Sequence, residues 1–332
     1  MPSNRDYFTC TVRTEEEWHR LRREGVGGSD VAKIMGFSKY GSPLEVWLEK
    51  TGRTEPADLS DNQAVEWGNR LEDVVARKFA EDHPEYIVRN RDGNGRWETL
   101  VSKTRPWAHA NLDRNLYGVG EDGKRDGRRY LLEVKTCSAY RAEDWEDGVP
   151  DYYLTQVTHY LGVTGYDGAW VAVLIGGQEY REFYVERDED DIKAVEEAVD
   201  AFWHDYVEAD TPPALVGSDS EAAAVFGMHA EPGDEYEQAL DEDVPELAEL
   251  EQVRERIKEL KARESELGTS IKARIGDLKG IETPTRKVTW SRSTSTTCDW
   301  RAFDKDHPHL MDSYIKTKPK DGGLRVTAKK GA

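Results

Sequence analysis

The sequence predicts an α/β fold with a mixed central sheet flanked by helices, followed by a long helix and a small appended module. Three observations predict it. Helical patterns fill most of the first 85 residues, and short alternating runs separated by Gly, Asn and Asp occupy Tyr86 to Lys135. Helical and strand-like runs then alternate to about Glu208, an order that suits a sheet with helices on its faces.

The elements follow in order. Residues 14–24 (TEEEWHRLRRE) read as a helix opening on a Thr14-x-x-Glu17 capping box and ended by GVGG. A second helix is expected to start at Ser29 or Asp30. Ser42-Pro43 opens a third, LEVWLEKT, stopped by Gly52. AVEWGNRLEDVVARKFAEDH is a longer helix with Val65, Leu71, Val74, Val75 and Phe79 on its apolar side. RRYLLEVKT closes the strand-rich part, and YYLTQVTHYLGVTG returns to helical spacing. GAWVAVLIGG and REFYVER read as two strands joined by a Gly turn, and a helix runs from Asp188 to about Glu208.

The chain thus divides into a first domain over 1–208, an acidic linker or loop over 209–245, a long amphipathic helix over 246–280 and a small basic module over 281–332. Leu250, Val253, Ile257, Leu260, Leu267, Ile271 and Leu278 keep a 3–4 spacing broken at Glu264, which predicts a helix packed on its own domain. The module holds the strand-like RKVTWSRST and the aromatics Trp300, Phe303 and Tyr314. Trp18, Trp47, Trp67, Trp107, Trp145, Trp170 and Trp203 are expected in the core or at its rim.

Composition narrows the function. The chain has 332 residues, enough for about two domains. Cys10, Cys137 and Cys298 lie far apart, which argues against a disulfide scaffold, a zinc ribbon or a cysteine-held cluster. His307 and His309 have no ligand cluster around them. No apolar run approaches the roughly 18 residues of a membrane span, so the expectation is a cytoplasmic protein with no membrane partner.

The net charge of −20 would normally count against a nucleic-acid partner. The acid is concentrated, however. Residues 205–252 carry 15 Asp and Glu and no Lys or Arg, whereas residues 253–332 carry 19 basic side chains against 11 acidic ones.

The most informative stretch is LLEVKT. On a strand, side chains two apart share a face, so Glu133 and Lys135 project together while Val134 turns into the core. Asp113, in AHANLDRNLYG, precedes the hairpin that leads to this strand. An Asp there and a Glu on the returning strand can converge on one hard cation, since Mg²⁺ takes one or two carboxylates, waters and phosphate oxygens. Asp-x19-Glu-x-Lys has the layout of the PD-(D/E)XK (restriction-endonuclease-like) nuclease core. In that chemistry Asp113 and Glu133 hold Mg²⁺, with Mn²⁺ as a substitute, and Lys135 orients the water the ion acidifies.

GVGGSDVAKIMGFSKYGSPLEVWLEKTG, VEWGNRLEDVVARKFAE, NLD, LLEVKT, DYYLTQVTHYLGVTG, WVAVLIGG and VERDE resemble, in order, the blocks of the YqaJ-like viral recombinase family, phage exonucleases related to lambda exonuclease. The resemblance covers about residues 15–200. It implies that Asp113, Glu133 and the Val134 carbonyl bind the metal, that Glu72 lies near a second metal, and that Gln156 holds a phosphate or the attacking water. It also implies that Ser29 and Arg22 hold a 5′ phosphate. The pattern departs at Asn111, where lambda exonuclease has a serine. An amide can still donate to phosphate, but strict 5′-phosphate dependence does not carry over.

These readings predict a Mg²⁺-dependent 5′-to-3′ exonuclease of phage or prophage origin. It would act on double-stranded DNA ends and leave 3′ single strands for a single-strand annealing protein. By family resemblance it would form a toroidal trimer. Lys33, Lys39, Lys50 and Arg141 are candidate phosphate contacts, and residues 246–332 are a candidate surface for DNA or the annealing partner. The rivals are a structure-specific or helicase-dependent endonuclease on the same fold, and a non-catalytic DNA-end-binding or DNA-mimic protein. The complete set Glu72, Asp113, Glu133 and Lys135 favours catalysis.

Overall fold

The computed structural model describes residues 6–55, 61–90, 97–229, 239–297 and 299–310. It separates into two units, divided between Met228 and His229.

The first unit begins with β1 (Tyr7–Val12), α1 (Glu15–Arg23), α2 (Gly28–Ile34), α3 (Pro43–Lys50) and α4 (Gln63–Asp82). Then come β2 (Tyr86–Asn90), β3 (Trp97–Ser102), β4 (His109–Ala110), β5 (Arg114–Val119) and β6 (Arg125–Cys137). α5 (Asp151–Thr164), β7 (Gly168–Ile175), β8 (Glu179–Glu186), α6 (Glu189–Phe202) and α7 (Asp219–Met228) complete it.

The start signals read from sequence are in place. Thr14 and Glu17 form the capping box of α1, and Ser42 with Pro43 opens α3. α2 starts at Gly28, one residue earlier than expected, because the Asp30 carboxylate accepts the Gly27 N–H at 3.1 Å and secures the turn there.

β2-β5-β6-β7-β8 form a mixed five-stranded sheet in which only β6 and β7 run parallel, joined through α5. The Gly176-Gly177 turn, with both φ positive at 60° and 72°, lets β7 return as β8. β1, β3 and β4 form a second, antiparallel sheet. α4 packs Val75, Ala76 and Phe79 on one face of the larger sheet, against Leu116, Leu132 and Val134. The other face, with Leu131, Val171 and Val173, packs against Val157 and Leu161 of α5. The architecture is the predicted mixed α/β fold.

Three local expectations need correction. Val65 and Val74 of α4 are exposed, because the helix meets the sheet only along the line of Val75, Ala76 and Phe79. The regular helix after Asp188 ends at Phe202 and passes into one π-turn over Trp203–Glu208. The acidic stretch 209–245 is not linker throughout, since α7 lies within it and packs Ala224 and Val225 beside the α2–α3 core. Among the tryptophans, Trp47 and Trp145 are core residues, whereas Trp67 is exposed.

The second unit holds α8 (Glu246–Ile275), the hairpin β9 (Gly280–Glu282) and β10 (Lys287–Thr289), and α9 (Trp300–Asp306). α8 ends before Leu278 because Gly276 adopts φ +56°. Its stripe was expected to pack on its own domain, yet Val253, Ile257, Leu260, Leu267 and Ile271 are exposed, and only Ile275 is buried. Tyr314 and the basic end lie outside the described residues. Among the described residues no helix is long and apolar enough to cross a membrane.

The core also carries a pH-sensitive element. Burial depresses His109 to about 4, and His159, whose Nε2–H donates to the carbonyls of Val26 and His109, is depressed in the same direction by its burial. Both are neutral in the fold, whereas in the unfolded chain they protonate near pH 6.5. Their contribution is therefore complete above pH 6.5 and is lost as pH falls towards 4, up to about 3 kcal/mol for His109. A urea midpoint at pH 5 below that at pH 7.5, with the difference reduced in His109→Gln, is the expected result. Equal midpoints would exclude this linkage.

Candidate active site

β6 delivers the central residues. Its period-two alternation sends Val134 into the core beneath α4 and turns Glu133 and Lys135 towards Gln156 on α5. Glu133 is only 2% exposed. Its Oε1 accepts from Lys135 Nζ at 2.6 Å and from Gln156 Nε2 at 2.7 Å, while its Oε2 is buried with no hydrogen-bond partner. Lys135 Nζ also donates to Gln156 Oε1 at 3.2 Å and sits 4.5 Å from the centre of the Tyr153 ring.

Asp113, just before β5, accepts the Val134 N–H at 2.7 Å and is thereby tied to β6 beside Glu133. Burial, then the neighbouring Glu133, pushes its carboxyl well above the usual range, against the pull of Lys135. Burial opposes the charge of Lys135 too, but Glu133 and Asp113 outweigh it and raise the ammonium above its ordinary value.

Glu72, Asp113, Glu133, Lys135 and Tyr153 line one open cleft of about 330 Å³. Glu72 is already engaged, since Arg114 Nη1 donates to it at 2.5 Å and to the Asp113 carbonyl at 2.6 Å, while Arg114 Nη2 pairs with Asp73. Among the described residues no three His, Cys, Asp or Glu side chains form a closed metal cage. Two crowded carboxylates, one with an oxygen that nothing satisfies, still fit a hard cation, which relieves their repulsion and keeps most of its waters.

The residues expected to hold phosphate come together separately. Arg22, Ser29 and Asn111 line one pocket with Trp18, Thr99, His109 and Tyr160. The two sites are linked through α5, where Gln156 Nε2 donates to the Tyr160 hydroxyl one turn along at 3.1 Å. Gly28 lies flush on this link, and a Cβ there would come within 2.6 Å of both Gln156 and Tyr160. Arg22 is not a free cation, because it binds Glu49 at 2.7 Å and Asp30 at 3.3 Å.

The four further candidate phosphate contacts divide. Lys39 is exposed and Lys33 half-buried. Lys50 is buried, its Nζ bonded to Asp30 at 2.7 Å and to the Arg22 carbonyl at 2.9 Å, so it is a structural residue rather than a DNA contact. Arg141 binds Asp144 and the hydroxyls of Tyr40 and Tyr152. Sequence reasoning missed Arg114, Tyr153 and Tyr160. For Tyr160 the available signal was its i+4 spacing from Gln156.

Residues 17–167 match the model of the YqaJ-like viral recombinase domain. The chain is 33% identical over 311 residues, covering 92% of itself and 91% of the relative, to the uncharacterized protein YqaJ of Bacillus subtilis (strain 168). An alkaline exonuclease from Laribacter hongkongensis is similar at 20% identity and a TM-score of 0.44, over 59% of this chain and 93% of that one. A phage-related exonuclease from Haemophilus somnus 129PT is similar at 14% identity and a TM-score of 0.37, over 58% and 98%. With one-third identity sustained along nearly the whole of both chains, this protein belongs to the YqaJ-like viral recombinase family.

Proposed function

We propose that the protein is a Mg²⁺-dependent exonuclease that digests one strand of duplex DNA from its 5′ end. The 3′ single strand it leaves would serve an annealing protein in the cytoplasm of a phage-infected or prophage-carrying cell. The observation that carries this reading is the buried, unpartnered Oε2 of Glu133 beside Asp113, whose anion is disfavoured first by burial and then by Glu133. The polarity, the annealing partner and a ring-shaped trimer are what resemblance to the family implies.

Asp113, Glu133 and the Val134 carbonyl would hold the metal, with Glu72 nearby where Arg114 now balances it. When bound, Mg²⁺ supplies a Lewis acid for the scissile phosphate and an acidified water, and Mn²⁺ is a plausible substitute. The chain's own residues do the positioning. Gln156 and Lys135 both grip Oε1 of Glu133, which leaves Oε2 without a hydrogen-bond partner. Lys135, held as an ammonium, offsets the negative charge that develops on the phosphate. Ser29, Asn111 and Arg22 would hold the terminal 5′ phosphate in the adjoining pocket.

The test is digestion of a linear duplex labelled at the 5′ or 3′ end, with Mg²⁺, Mn²⁺ or EDTA, beside a covalently closed circle. Early release of the 5′ label, retention of the 3′ label, intact circles and an inert Lys135→Ala are the expected outcome. Nicked circles would replace this reading with an endonuclease, and an untouched linear duplex with a binding protein.

A further inference from the structure

Beyond the cleft, aromatic rings and cations form an unbroken series of contacts from Lys135 to the protein surface. Lys135 Nζ lies 4.5 Å from the Tyr153 ring, and Tyr153 lies 4.2 Å from Tyr152, centre to centre. Arg141 donates to the Tyr152 hydroxyl at 2.8 Å and to the Tyr40 hydroxyl at 2.6 Å, with its guanidinium 5.7 Å from each ring. Lys39 Nζ completes the series 5.5 Å from the Tyr40 ring. Three elements distant in sequence build it: the loop after α2, the turn after β6, and the first turn of α5.

The outer end is unusually open for large rings. Tyr40 is 61% exposed and Tyr140, next to Arg141, is 98% exposed. Phe37 is exposed on the same loop as Tyr40. Burying such rings against a protein core is the default, and rings left this open, with Tyr40 held by its hydrogen bond from Arg141, suit a ligand with flat faces. Unpaired DNA supplies them, because every base stacks on an aromatic ring regardless of sequence. Asp144 also binds Arg141, at 2.8 Å, and offsets part of its charge, so stacking rather than phosphate neutralisation would provide most of the affinity.

We propose that Tyr40, Tyr140, Arg141 and Tyr152 form a guide for unpaired DNA, whose bases stack on the exposed rings as the strand runs along the series that ends at Lys135. The inference rests on reading the cleft as a nuclease site. Its test does not.

Binding of a fluorescein-labelled oligo(dT) and of a blunt duplex is measured by anisotropy in EDTA, where no strand is cut. The double variant Tyr40→Ala/Tyr140→Ala is expected to lose about tenfold in oligo(dT) affinity and far less in duplex affinity. Tyr40→Phe/Tyr140→Phe, which keeps the rings but not the hydroxyls, should bind oligo(dT) like the parent. Phe8→Ala, which removes an exposed ring outside the series, should change neither. An unchanged double alanine variant, an equal loss on duplex, or a phenylalanine variant as weak as the alanine one would overturn the proposal. A parent protein that cuts DNA normally while the alanine variant binds oligo(dT) normally would sink the guide alone. A parent that cuts nothing but binds oligo(dT) through these rings would sink the nuclease reading alone.

Discussion

Asp113→Asn is expected to abolish DNA digestion, by at least about a thousandfold, while making the metal-free protein more stable by about 1 kcal/mol. The two effects have one cause. Asp113 is half-buried beside Glu133, and its ionisation is opposed first by desolvation and then by that neighbour. Asparagine is nearly isosteric, and its carbonyl oxygen can still accept the Val134 N–H that Asp113 accepts at 2.7 Å. The substitution thus keeps the tie between the β5 hairpin and β6 but removes a charge that the fold disfavours. It also removes half of the carboxylate pair proposed to hold Mg²⁺. Thermal melts with Mg²⁺ and with EDTA separate these effects. The wild-type melting temperature should rise with Mg²⁺ as binding to the native state predicts, whereas the variant should start higher and respond little. A variant less stable than wild type in EDTA would show that Asp113 is a structural acceptor, and an unchanged Mg²⁺ response would remove it from the metal site.

The centre of the site was legible in the sequence because β-strand alternation is a strong rule. Glu133 and Lys135 had to share a face, and the spacing of Asp113 before them permitted it to converge on Glu133, although the motif was loose enough that the flanking family blocks decided the reading. Gln156 was visible only through family resemblance. Read by itself it belonged to a surface helix, but α5 is wedged between the larger sheet and α2 and buries Thr155 to Leu161 on all sides, which erases the amphipathic signal. Arg114 was missed because its partners, Glu72 and Asp73, are more than 40 positions away. α7 was missed for another reason, since its acidic, Gly- and Pro-flanked context outweighed a local start signal. Ser218 accepts the Glu221 N–H at 3.2 Å, and the Glu221 carboxylate in turn accepts the Val216 and Gly217 N–H groups. Lys33, Lys39, Lys50 and Arg141 looked alike as isolated basic residues. Only the three-dimensional arrangement divides them into a buried ion pair, a ring-bound linker and surface charges.

Lys50→Ala is expected to destabilise the protein by about 3–5 kcal/mol. The Lys50 side chain is wholly buried, with Asp30 at 2.7 Å and the Arg22 carbonyl at 2.9 Å. Burial opposes the Asp30 charge, yet Lys50 and Arg22 overcome it and hold the carboxylate well below its usual range. Removing Lys50 leaves that buried carboxylate with the Gly27 N–H and, as its remaining ion pair, Arg22, which Glu49 also claims at 2.7 Å. The Asp30→Asn/Lys50→Met double variant removes both charges and keeps an acceptor for the Gly27 N–H, so it should recover most of the loss. Lys39→Ala, on the surface, should melt like wild type. Urea denaturation of the four proteins decides the matter: a Lys50→Ala midpoint close to wild type would return Lys50 to the candidate DNA contacts. A double variant no better than the single would show that the damage lies in lost packing, not in an unpaired charge. If the pair behaves as expected, any fall in DNA binding by Lys50→Ala comes through Arg22, which Asp30 and Lys50 together hold in place at the edge of the Ser29–Asn111 pocket.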